Sequence, residues 1–167
     1  ERRWSVTQLL SPDTYHLTPT TCRPMPPLVR RYLKTAIAFL GAGLVVGAWL
    51  LAAREFALPV PMRIMSVHTH LLLVGFVMFM ISGVALWMFP RPAKGDDRYR
   101  PWLAEWAYWL LLAGTAGRAA LELTASPNAS VATRAAIVTA GVVQLAGLLL
   151  FFVMMLPRIR STLSEPR

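Results

Sequence analysis

The chain of 167 residues is poor in the groups on which most metal and redox proteins rely. Its single cysteine, Cys22, excludes an intrachain disulfide, a four-cysteine zinc site and a cysteine-ligated iron–sulfur cluster within one copy. Only three histidines are present, so a bound metal rests largely on them. Acidic residues number eight against seventeen basic ones, for a formal charge of +9. No basic run is interleaved with aromatic residues, however, and the charges gather at the ends of apolar stretches, so nucleic acid is excluded as a partner. The first 27 residues lack the apolar core of a secretory signal. They hold Pro12, Pro19, Pro24, Pro26 and Pro27, and read as an irregular cytoplasmic or surface tail.

What the chain has in abundance is apolar sequence, 56% of its residues, with a positive mean hydropathy. A spanning helix takes about 20 mostly apolar residues. Four stretches qualify, 33–53, 64–89, 102–123 and 135–156. The fold class that follows is all-α, a bundle of four transmembrane helices, and the short connections favour an up-down-up-down course through the lipid. The domains are a polar, Pro-rich N-terminal segment over 1–32, the membrane domain over 33–157, and a tail over 158–167. Thirteen of the seventeen Lys and Arg lie before the first span, between the second and third, or after the fourth. The other side carries Arg54 and Arg63, with Arg118 and Arg134 near helix ends. The positive-inside rule then places both termini in the cytoplasm and the connections 54–63 and 124–134 outside.

Gly41, Gly43 and Gly47 in the first helix, and Gly114 and Gly117 in the third, give each a face that a neighbour can approach closely. Pro59 and Pro61 bracket the turn before the second helix, and Pro90 and Pro92 stop it. Trp102 suits an interfacial anchor; Trp106 and Trp109 either extend that anchor or line a cofactor pocket.

Polar groups inside a membrane helix are costly, which makes each a functional candidate. Here they are His68, His70, Arg118, Glu122 and Gln144. Arg118 and Glu122, four apart, can pair along one face. His68 and His70, two apart, are rotated by roughly 200° and cannot chelate one ion together. Each can instead turn to a different neighbour and offer one axial ligand to a different haem iron. Histidines that simply sit at the interface, bonded to water or backbone, are the alternative.

From Val67 the chain runs VHTHLLLVGFVMFMISGVALWMFP, with His68-x-His70 followed by Gly83, Trp87 and Phe89-Pro90. This resembles the tenth helix of subunit I of haem–copper oxidases, where a His-x-His pair precedes glycines and a Trp-Phe-Pro exit. The tryptophan is displaced by one residue. The resemblance implies that His68 binds a high-spin haem and His70 a low-spin one. The same segment is similar to the second helix of nitric oxide reductases, on which Arg63 and His68 fall at an arginine and a low-spin haem ligand. The two alignments differ over which histidine matters most, and both imply haem. The matched stretch covers about 27 residues.

In that family the haem ligands lie toward the outer side, where the charge count also puts His68 and His70. Haem propionates take cationic partners, for which Arg63 and Arg118 are the choices. The oxidases have about twelve helices in three arcs of four and use further histidines for copper. Here only His16 remains, in the polar tail, where it reads as a surface residue. One copy would therefore lack an oxygen-reducing centre, and a homo-oligomer, dimer or trimer, or a subunit of a respiratory complex would complete the sites.

The expected function is a haem-b protein of the bacterial inner membrane, in contact with lipid, that carries electrons in or beside a respiratory chain with a quinol or cytochrome partner. An electron-transfer role is expected over a stand-alone oxidase. The alternatives are a haem protein that binds or reduces O2 or NO, and a cofactor-free accessory subunit.

Overall fold

The computed structural model describes residues 25–89 and 100–160. The Pro-rich segment with His16 and Cys22, the connection with Pro90 and Pro92, and the tail from 161 lie outside the described residues. Four helices make up the described chain, and none of it is strand. They are α1 (Pro27–Glu55), α2 (Ile64–Met88), α3 (Pro101–Thr124) and α4 (Val131–Arg160).

Pro27 and Pro101 sit in the first turns of α1 and α3, where a missing N–H costs nothing and the fixed φ favours helix. α1 thus starts six residues ahead of its apolar span. Its opening turns are amphipathic, with Val29 and Tyr32 buried and Arg30, Arg31 and Lys34 exposed, a pattern that raw hydropathy does not register. α4 begins on Ser130, whose Oγ accepts the N–H of Thr133 at 3.2 Å, a side-chain N-cap. α2 ends at Phe89, whose extended backbone (φ −71°, ψ 136°) is what a following proline imposes.

α1, α2 and α4 are each long and apolar enough to cross a membrane. α3, with 24 residues, is about 36 Å long and matches them in reach. Glu105, Arg118, Glu122 and three tryptophans make it less apolar.

α1 packs along α2, α3 along α4, and α2 meets α3 between the two pairs. The first turns of α1 and α3 lie together, since Arg31 pairs with Glu105 at 2.7 Å and the Tyr32 hydroxyl donates to the Ala104 carbonyl at 3.2 Å. The course is therefore up-down-up-down. The core at this end is aromatic. Tyr32, fully buried, has its ring centroid 5.0 Å from that of Tyr108, 5.6 Å from Phe79 and 6.1 Å from Phe151, which ties all four helices to one side chain. Thr35 and Tyr108 join their hydroxyls at 2.9 Å.

α2 changes its winding midway. Ile64–His70 and Phe79–Met88 are α-helical, while Leu71–Met78 between them is π-helical. Along it the buried residues Val67, Leu71, Gly75 and Phe79 recur every four positions. On an α-helix a strict four-residue repeat walks round the axis by about 40° per step. Widening the turn toward i→i+5 bonding cancels that drift and keeps the line facing the bundle.

α1 closes with a Schellman-type turn, the N–H of Leu58 bonding to the Ala53 carbonyl at 3.0 Å. Ala57 then takes φ 51°, the left-handed conformation that glycine adopts without a Cβ penalty. Ala57→Gly is expected to raise stability by about 1 kcal/mol, read as a higher melting temperature of the detergent-solubilised protein.

Candidate functional site

His68 and His70 lie in the last α-helical turn before the π segment of α2. π-helical turns inside α-helices occur often at functional sites. The two rings have different surroundings, as their angular separation requires. His68 turns to α1, where its Nδ1 donates to the Gly43 carbonyl at 3.0 Å. A Cβ built on Gly47 would stand 2.7 Å from His68 Cε1, so the imidazole fills the space that this glycine leaves open. His70 stays with its own helix, its Nδ1 donating to the Ser66 carbonyl one turn earlier at 2.8 Å, with the Ser66 hydroxyl at 3.4 Å. Both residues are half-buried.

These two bonds determine the chemistry of the rings. A carbonyl oxygen carries no proton, so each Nδ1 must supply it. A neutral imidazole then presents its lone pair at Nε2, the arrangement in which histidines ligate metals, with the other nitrogen held by a backbone acceptor. The donor chemistry of both rings is that of a haem ligand, and the His68 ring lies with Nε2 as well as Cε1 close to Gly47 of α1. Among the described residues no cluster of three or more His, Cys, Asp or Glu could hold a bare ion.

Arg118 and Glu122 form the expected pair, Nε to Oε1 at 2.8 Å, with the carboxylate side chain 4% exposed and the guanidinium 26%. The Arg118 side chain leans over α4, its Nη1 3.6 Å from where a Cβ on Gly141 would be. Among the described residues no hydrogen bond links it to α2. Arg63 immediately precedes α2, half-buried, and its carbonyl accepts the N–H of Val67. The structure thus brings Arg63 to the histidine end of α2 and leaves Arg118 engaged on the α3–α4 side.

The glycines divide in the same way. Gly43 and Gly47 admit Leu72 and His68 of α2, and Gly114 and Gly147 admit the backbones of Gln144 and Leu111, while Gly41 and Gly117 meet nothing. Trp102, Trp106 and Trp109 are about half-exposed and line an open groove with Glu105, on the face that an interfacial anchor would use.

Sequence reasoning singles out the two rings and misses the acceptors that orient them. The Ser66 carbonyl, four residues before His70, follows from helix geometry once His70 is singled out. The Gly43 carbonyl belongs to another helix, and its only trace in the sequence is the pair of glycines four residues apart.

No curated protein and no solved structure matches this chain. Residues 27–165 match cytochrome c and quinol oxidase polypeptide I, a stretch that takes in all four helices and both histidines, and the chain therefore belongs to that family.

Proposed function

We propose that this multi-pass membrane protein is a haem-b protein that carries electrons in or beside a respiratory chain of the bacterial inner membrane, with both termini cytoplasmic and the histidines toward the outer side. The observation that carries the reading is the pair of Nδ1–H···O=C bonds, which leaves Nε2 of His68 and of His70 as lone-pair donors in an apolar wall. Family membership supports it, because subunit I proteins bind haem. Bound haem would supply one-electron transfer. The chain's own residues hold and orient it. His68, braced between α1 and α2, and His70, braced by its own helix, would each give Nε2 to a haem. Arg63 is placed to meet a propionate, and Arg118 retains further N–H donors beyond the one given to Glu122.

Two imidazoles that diverge would serve two haems, and any further protein ligand would come from outside this helix, from a further copy or another subunit. An iron with both axial positions filled has no open site, which favours electron transfer over gas chemistry. The absorption spectrum of the purified protein tests this. Sharp low-spin b-type bands that CO leaves unchanged are expected. A spectrum altered by CO moves the protein to O2 or NO chemistry, and the absence of a Soret band leaves an accessory subunit.

A further inference from the structure

Trp102, Glu105, Trp106 and Trp109 line one open groove on α3, at the end of the bundle where α1 and α3 start. An interfacial anchor accounts for the first of them only. Trp109 lies about 10 Å further along the helix than Trp102, whereas a belt of tryptophans sits at the one level of the headgroups. The three indoles are 53%, 58% and 50% exposed, so no helix of the bundle covers them. Tyr108 meets the Trp109 ring edge-on, with centroids 5.2 Å apart.

The groove continues as a shallow track. At about 100° per residue, Ala113, Ala116 and Ala120 fall within about 40° of the line through the tryptophans. All three are exposed. The outer face of α3 is therefore aromatic and acidic at its start and built of small residues beyond, the outline of a headgroup followed by a chain.

Charge narrows the occupant. Glu105 sets a carboxylate beside indole faces, and both attract a cation. The same carboxylate pairs with Arg31 of α1 at 2.7 Å, with both side chains about half-exposed. A carboxylate accepts at two oxygens and a guanidinium has five N–H donors, so each keeps capacity after this one bond. A negative group beside a positive one complements a zwitterion, whose ammonium meets Glu105 and the indoles while its phosphate meets Arg31. A second copy fits less well, because a two-fold axis along this face would set Glu105 against Glu105 and indole against indole.

We infer that this face of α3 binds one phospholipid with an ammonium-bearing headgroup. Glu105 and the tryptophans hold the ammonium, Arg31 holds the phosphate, and an acyl chain lies along Ala113, Ala116 and Ala120. The site is independent of whether haem is bound.

Native mass spectrometry of the full chain, released from nanodiscs of phosphatidylethanolamine and phosphatidylglycerol with the same acyl chains, tests the inference by counting the lipids that stay bound. The wild type is expected to keep one phosphatidylethanolamine in preference to phosphatidylglycerol. Glu105→Gln lowers retention of phosphatidylethanolamine several-fold and spares phosphatidylglycerol, whereas Arg31→Gln lowers both, since both carry the phosphate. Trp106→Leu keeps an apolar side chain, removes a π face and weakens phosphatidylethanolamine binding as well. Each substituted side chain is at least half-exposed, which leaves the packing of the bundle intact. Equal retention of the two lipids by the wild type, or a preference that survives Glu105→Gln, overturns the inference. A wild-type dimer that Trp106→Leu converts to monomer overturns it too, and assigns the face to a second copy.

Discussion

His68→Ala and His70→Ala are each expected to abolish the low-spin haem spectrum of the purified protein. A low-spin iron takes two strong axial ligands, and on the proposed reading each ring would give one, oriented by its own carbonyl, Gly43 for His68 and Ser66 for His70. No other histidine lies among the described residues to replace either one. The two variants should differ in what they leave behind. Removing His68 opens a hole against Gly47 between α1 and α2, at a cost of cavity energy that lowers thermal stability along with haem content. His70 bonds only within α2, so its removal should spare stability and affect the spectrum alone. Haem per chain by pyridine haemochrome, with size-exclusion profiles to show that both variants fold, makes the comparison. Full haem with unchanged bands in both variants would show that the ligands are elsewhere.

Gly114→Ala is the substitution expected to damage the bundle most. A Cβ there would meet the backbone nitrogen of Gln144, with its Cα at 2.6 Å. Backbone cannot move aside as a side chain does, so α3 and α4 must part along their length. Overpacking of this kind costs about 1–3 kcal/mol, and here it also loosens the contact at Gly147, one turn inward on α4. Gly117→Ala provides the control on the same helix. Nothing lies within 4 Å of its Cβ, so the usual helix preference for alanine applies, a gain of up to about 1 kcal/mol. Melting curves followed by circular dichroism should move in opposite directions for the two variants.

The helices were legible because each apolar run exceeds the thickness of the hydrocarbon layer, and the polar exceptions were legible because so few exist. The divergence of His68 and His70 followed from two residues of helical rotation, and the structure places the rings in different surroundings. The π-helical turn was not legible. Every residue from Leu71 to Met78 is apolar or glycine, so composition carries no trace of whether the buried line advances by 3.6 positions or by four. The start of α1 was hidden by three basic residues on the exposed side of an otherwise buried turn. The lean of Arg118 toward Gly141 of α4 is a contact between helices that spacing within one helix does not encode.

α1 bonds to His68 through its main chain. It contributes the Gly43 carbonyl and the empty space above Gly47, while Leu44, Val45, Trp49 and Leu51 point away from the bundle. A scan that trims side chains to alanine would register the loss of Tyr32 and pass over Gly43 and Gly47, which have no side chain to delete. Substitutions that add atoms report on them instead. Over generations the outer face of α1 is free to drift among apolar residues, and the narrow glycine track beneath it is not.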